Sequence, residues 1–195
     1  MPHRSHLHQH RSGIFEDAGR YDRHAGRFAQ RLYRAVAAEV AGAGLPDGSR
    51  VLDVGTGPGR VPLAIAAAAP GVRVDGVDLE PNMVDLARRN AAEAGVAGRV
   101  TFTTADVARL PYDDDTFDLV VSTLSHHHWD DPPAGFRDLA RVVRPGGRVW
   151  IYDFRTTLGR AERAARPAFA GRPARTNVPG AGLFGLLVKR LTLPS

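Results

Sequence analysis

Apolar residues recur along this chain in two rhythms, and the alternation between them outlines the fold. Between residues 22 and 41 they fall at Ala25, Phe28, Leu32, Ala35, Val36 and Val40, the three-and-four spacing of one helix face. GAGLPDGS then breaks the chain. Residues 51–54 predict a first strand, followed by a glycine turn and a helix over 61–69 that Pro62 enters in its first turn and Pro70-Gly71 stops. Residues 72–77 predict a second strand. Pro81 and the face Met83, Leu86, Ala87, Asn90, Ala91, Ala94 predict a helix closed by Gly95. Residues 100–104 predict a third strand, and FDLVVST (117–123) a buried fourth. Phe136, Leu139, Ala140 and Val143 mark a helical face closed by RPGG, before a fifth strand, RVWIYDF (148–154). Beyond it GRAERAAR reads as a short helix. ARTNV and LLVKRLTL read as two last strands joined through PGAG, in preference to a membrane-surface segment over 183–194.

Strands that alternate with helices over short connections specify an open, mostly parallel α/β sheet. Ligands of such sheets bind beyond the carboxyl ends of the strands. The stretches with chemical character all fall there: the glycine turn, Asp78, Asp106 and the loop SHHHWDDPP.

The length of 195 residues fits one domain with a proper core. We expect residues 1–13 to be a disordered tail, although His3, His6, His8 and His10 make a metal-binding tail conceivable. Residues 14–195 are expected to form the domain: a helical cover over 14–45, a cofactor-binding core over 46–154, and a short substrate-side segment with the last strands over 155–195. The absence of cysteine excludes disulfides, thiolate metal sites and cysteine nucleophiles, and points to the cytoplasm. The N-terminus has no apolar core of a secretory signal, and no apolar run is long enough to span a bilayer. The net charge of +5 comes from scattered arginines with Lys189 as the single lysine, so a nucleic-acid partner is not expected.

In VLDVGTGPGR, residues 51–60, glycine serves a tight strand-to-helix turn, close approach of a ligand to backbone, and close helix packing. Asp78 ends the next strand, where a carboxylate accepts from ribose hydroxyls. The dinucleotide fingerprint G-x-G-x-x-G is not met: the spacing is G-x-G-x-G, and Arg60 takes the place of the last glycine. Asp53, two residues before Gly55, would repel a pyrophosphate but suits a cationic amino-acid moiety. This favours S-adenosylmethionine, which carries an ammonium and a sulfonium but no phosphate.

The chain here resembles the class I S-adenosylmethionine-dependent methyltransferases, in particular the small ubiquinone/menaquinone-biosynthesis type. DVGTGPG is similar to that family's first motif, GVDLEPNMVDLAR to the following segment, and TADVARLPYDDDTFDLVVS to its adenine-binding stretch and fourth strand. HHWDDP with RVVRPGGRVWIYDF is similar to its last block. The resemblance implies a Rossmann-like, doubly wound sheet of seven strands in three α/β/α layers, the last strand antiparallel. It implies an enzyme that takes its methyl from S-adenosyl-L-methionine, leaves S-adenosyl-L-homocysteine, and acts on a small-molecule acceptor through oxygen, nitrogen or carbon. It also implies roles: Asp53 near the methionyl ammonium, and Gly55, Gly57 and Gly59 in the loop that lines methionine and ribose. Asp78 would hold the ribose hydroxyls, Leu79 and Met83 the adenine faces. Asp106 and the Val107 N–H would meet the adenine edge, and Ser122, just past strand four, would give backbone contacts. Tyr21 would lie near the cofactor from the N-terminal helix. Two other readings stay open: a nicotinamide-dependent oxidoreductase on a similar fold, and a non-catalytic cofactor-binding protein.

Methyl transfer from a sulfonium needs alignment more than acid–base help, but an acceptor that must lose a proton calls for a base. His127 and His128 match the family's pattern and are the candidates, with His126 outside it. Adjacent histidines lack chelating spacing, so no metal is expected. Trp129 either lines the acceptor pocket or plugs the loop. The short 155–182 segment implies an acceptor pocket that is open or completed by a second subunit.

Overall fold

This computed structural model describes residues 18–195, so the histidine-rich tail lies outside the described residues. A seven-stranded sheet runs in the order β3-β2-β1-β4-β5-β7-β6. Its strands are β1 (Arg50–Val54), β2 (Arg73–Asp78), β3 (Val100–Thr104), β4 (Phe117–Thr123), β5 (Val143–Phe154), β6 (Ala174–Thr176) and β7 (Val188–Pro194). The helices are α1 (Ala18–Ala41), α2 (Arg60–Ala68), α3 (Pro81–Glu93), α4 (Pro132–Val142) and α5 (Leu158–Ala165). β1 to β5 are parallel, and β7 is antiparallel to both β5 and β6.

The apolar run Leu119–Val121 of β4 follows from its place at the centre, paired with β1 and β5 and covered on both faces, so that every residue of the strand is buried. On one face, Leu32, Val36 and Val40 of α1 join Ile65 of α2, Val84 and Ala87 of α3, and Val51 and Leu119 of the sheet. On the other, Phe136 and Leu139 of α4 and Leu158 of α5 pack on Leu52, Val120 and Ile151. Each large side chain so buried contributes about 1.5–3 kcal/mol. The three layers thus arise from two core clusters divided by the sheet. α1 is also fastened by polar groups. The Tyr152 hydroxyl donates to Glu39 at 2.7 Å, and Arg190 donates to the same Glu39 oxygen at 2.8 Å.

Most element bounds fall within a few residues of the pattern in the sequence, and the start of β5 departs from it further. RPGG, expected to separate α4 from a strand beginning at 148, lies inside β5. The ladder steps from Phe117↔Val143 to Leu119↔Arg148, and Gly146 takes φ +79° in the irregularity. Antiparallel pairing covers both final strands, with a 3₁₀ turn, Gly182–Leu186, between them. Among the described residues no helix is long and apolar enough to cross a membrane. The chain runs outward to β3 from β1, then returns to β4 on the other side. The crevice above the β1–β4 junction is therefore the switch point.

Candidate active site

The turn after β1 is built as its glycines require. Gly55, Gly57 and Gly59 adopt φ of +71°, +52° and +80°, which side-chain-bearing residues rarely hold. A Cβ on Gly55 would come within 1.8 Å of Ser125 Oγ, and one on Gly59 within 2.8 Å of Phe102. A Cβ on Gly57 would meet nothing within 4 Å. Gly55 thus seats the histidine loop, Gly59 seats β3, and Gly57 leaves backbone open to a ligand.

Asp78 closes the next strand. Its carboxylate accepts from the Gly57 N–H at 2.7 Å and the Glu80 N–H at 3.0 Å, one on each oxygen. Each oxygen keeps a second lone pair for a ligand hydroxyl. Burial lifts Asp78 above the usual carboxylate range, against the lowering effect of the Glu80, Gly57 and Leu79 N–H groups.

Asp53 is 1% exposed. One oxygen accepts from Thr56 Oγ1 at 2.8 Å, and the other, Oδ1, is buried without a hydrogen-bond partner. Burial pushes its pKa up to about 7; the Thr56 bond lowers it and the Asp78 charge raises it further. Asp53, Gly55, Thr56 and Gly57 line a cavity of about 60 Å³ with Tyr33 of α1, Thr123 at the end of β4 and Leu124 just beyond it. A buried carboxylate oxygen lacking a donor, in a cavity walled by open glycine backbone, fits a cationic group and no phosphate.

The remaining cofactor candidates divide. Leu79 is 59% exposed beside Asp78, an apolar face at the rim, whereas Met83 is 3% exposed and packed inside. Asp106 is exposed, and its carboxylate accepts from the Ala108 N–H at 2.9 Å, shaping the turn that holds Val107. Ser122 corrects the expectation of a residue past strand four: it lies within β4 opposite Ile151, fully buried. The cavity is lined instead by Thr123 and by Leu124, which takes φ +54° while its N–H donates to Tyr152 O at 2.8 Å. Tyr21 has its side chain outside the described residues; the described aromatic that α1 brings to the cavity is Tyr33.

His126, His127 and His128 form a single 3₁₀ turn. They face three ways: His126 is 1% exposed, the His127 side chain is 23% exposed, and His128 is exposed with its ring 4.0 Å from that of His127. Asp153, fully buried near the end of β5, binds the first two. Its oxygens lie 2.8 Å from His126 Nδ1 and 2.9 Å from His127 Nδ1, and it accepts from the Phe154 N–H at 2.7 Å. Burial would raise the Asp153 pKa, but the two histidines and then the Phe154 N–H outweigh it and hold the carboxyl below its usual range. Trp129 plugs the loop: its Nε1–H donates to Ser125 Oγ at 3.2 Å, and its ring lies 5.3 Å from that of Phe136. Asp153 went unremarked in the strand RVWIYDF. Its signal was a carboxylate at the end of an otherwise apolar, buried run.

Comparison with known proteins agrees with this geometry. A family described as methyltransferase domain matches residues 51–147. A ubiquinone/menaquinone biosynthesis C-methyltransferase, UbiE of Geobacter sulfurreducens, is 41% identical over 115 residues, 58% of this chain and 45% of the relative. The 27-O-demethylrifamycin SV methyltransferase of Amycolatopsis mediterranei is 42% identical over 107 residues, 55% of this chain and 39% of that one. The chain thus spans less than half the length of these curated relatives. Among solved structures, a SAM-dependent methyltransferase from Aquifex aeolicus superimposes with a TM-score of 0.74 at 20% identity, covering 91% of this chain and 96% of that one. The matched segment runs from β1 into the start of β5, with the acid-lined glycine turn at its head, so residues 51–147 are similar to a methyltransferase domain, on a fold shared with solved S-adenosylmethionine-dependent methyltransferases.

Proposed function

We propose that this chain methylates a hydroxyl of a small-molecule acceptor, with His127 as the general base and Asp153 as the group that positions it. The observation that carries this is the pair of bonds from one buried carboxylate to the histidine turn, at the rim where the glycine turn opens. An Nδ1–H given to Asp153 leaves Nε2 of His127 as the basic nitrogen, and the partly exposed ring can meet an acceptor. Asp153, held ionised, stabilises the imidazolium that forms. His126 spends its Nδ1 on the same carboxylate but is enclosed, so its part is to fix Asp153. His128, exposed, is not assigned the proton.

S-adenosylmethionine supplies, when bound, a methyl group on a sulfonium that needs no further activation. Asp53 would hold its ammonium, Asp78 its ribose hydroxyls, and Leu79, Asp106 and Val107 would take the adenine. Gly55 and Ser125 press the two loops together, which fixes the relation between cofactor turn and base. A cytoplasmic site of action goes with the lack of cysteine.

The test is to incubate the protein with methyl-labelled S-adenosylmethionine and cell extract, and to read labelled products by mass spectrometry. A labelled O-methyl product that disappears with His127→Ala is expected. Labelling that persists undiminished in that variant removes His127 from the chemistry.

A further inference from the structure

Beyond β5 lies a second and larger cavity, of about 530 Å³, in the size range of small-molecule sites. It is walled by the end of β5, the start of α5, and the adjoining parts of β6 and β7, at the same sheet rim as the histidine turn. Phe154, Leu158 and Leu187 give it an apolar side. The His127 ring lies 5.5 Å from that of Phe154, so the wall of this cavity touches the proposed base. Lys189 is the strand partner of Asp153, which ties the cavity's polar side to the carboxylate that holds His127.

That polar side carries three cations: Arg155, Arg175 and Lys189. Arg175 is paired with Glu162. Lys189 has a neutral partner, Asn177. Arg155 makes no side-chain hydrogen bond or ion pair among the described residues, and no carboxylate of those residues lines the cavity. Two cations without counter-charge, facing an apolar wall, form a site for a molecule with an apolar body and an anionic oxygen group. The lone lysine of the whole chain stands here, although arginine supplies the positive charge everywhere else.

We infer that the methyl acceptor is an anion, a small molecule whose carboxylate or phosphate is held by Arg155 and Lys189 while its apolar part lies on Phe154, Leu158 and Leu187. This rests on the methyl-transfer reading above, and it names the substrate class of that site. The anion would be gripped at the β5–β7 edge, leaving the opposite end of the molecule to present its hydroxyl to His127.

The test uses the full chain with saturation-transfer NMR on a pool of small aromatic and aliphatic carboxylates, each beside its neutral amide, and of phosphate monoesters beside their parent alcohols. The same samples are titrated with S-adenosylhomocysteine by calorimetry. Binding is expected among the anions only, and the carboxylate and phosphate arms identify which group is recognised. Affinity should fall about tenfold or more in Arg155→Gln and in Lys189→Gln, the loss of one charge-assisted hydrogen bond. It should largely return in Arg155→Lys, and homocysteine-derivative binding should not change. Neutral members that bind as well as their anions, anion binding that survives both Gln variants, or no anion bound at millimolar concentration would overturn the assignment. If S-adenosylhomocysteine also fails to bind, it is the methyl-transfer reading that has failed.

Discussion

On one side of the β1–β4 junction the sheet is wholly parallel, and the groups at its rim come from a short stretch of chain: Asp53 and three glycines, with Asp78 only 21 residues beyond Gly57. On the other side the edge is antiparallel, and the groups that meet there are far apart. His127 joins Asp153 across 26 residues, and the larger cavity gathers β5, β6 and β7. The first half needs special backbone conformations, and only particular residue types tolerate them. The second half needs only that particular side chains meet, which any strand can arrange. On the reading proposed above, the first kind of construction would hold the cofactor and the second the acceptor.

The largest effect expected from breaking this division falls on the acceptor half. His127→Ala should lower turnover about 10²–10⁴-fold, the usual worth of a positioned base, with S-adenosylhomocysteine affinity unchanged in calorimetry. Asp153→Asn should lower turnover by less and move the pH–rate profile, because the amide no longer stabilises the imidazolium. An unmoved profile would reduce Asp153 to a packing role.

The next effect falls on the cofactor half. Asp78→Ala removes the acceptor for two backbone N–H groups and for the ribose, so S-adenosylhomocysteine affinity should drop about 100-fold. Gly55→Ala probes the seam between the halves. Its Cβ would collide with Ser125 Oγ at a backbone angle that alanine resists, which should cost about 1–3 kcal/mol in denaturant unfolding. Gly55→Ala with Ser125→Gly should recover part of that loss; no recovery would mean that the two loops are not pressed together.

The smallest expected effect is a gain. Asp53 is raised to about 7 in the folded chain by its burial. A folded pKa above the unfolded one favours folding at low pH, and that contribution is lost as pH rises from about 4 through 7. The whole shift corresponds to about 4 kcal/mol. In Asp53→Asn the unpaired amide N–H offsets most of this, so stability at pH 8 should rise by about 1 kcal/mol while cofactor affinity falls. A variant that lost stability would show that Asp53 has an unrecognised structural partner.

The same division explains what was legible in the sequence. Periodicity located β3 and β4 to the residue, because β3 alternates between buried and outer positions and the fully buried β4 carries the apolar run Leu119–Val121. The glycines and Asp78 were legible because turn geometry restricts residue choice. RPGG read as a terminator, since Pro and Gly punctuate most chains, and only its pairing opposite β4 turns it into an irregularity inside β5. Tyr33, Leu124 and Asp153 were not identified as site residues: each belongs to a pattern that its own element already explains, and tertiary pairing alone brings it to the crevice.

On the proposed reading, the crevice takes a phosphate-free, positively charged nucleoside whose ammonium meets Asp53. Calorimetric titration of the full chain with S-adenosylhomocysteine and with NADH, at pH 6 and pH 8, tests it most directly. A cationic group stabilises the ionised carboxylate, so binding should release a proton below about pH 7 and tighten about tenfold from pH 6 to pH 8, with no NADH binding at either pH. Binding of NADH, or an affinity for S-adenosylhomocysteine that ignores pH, would contradict it.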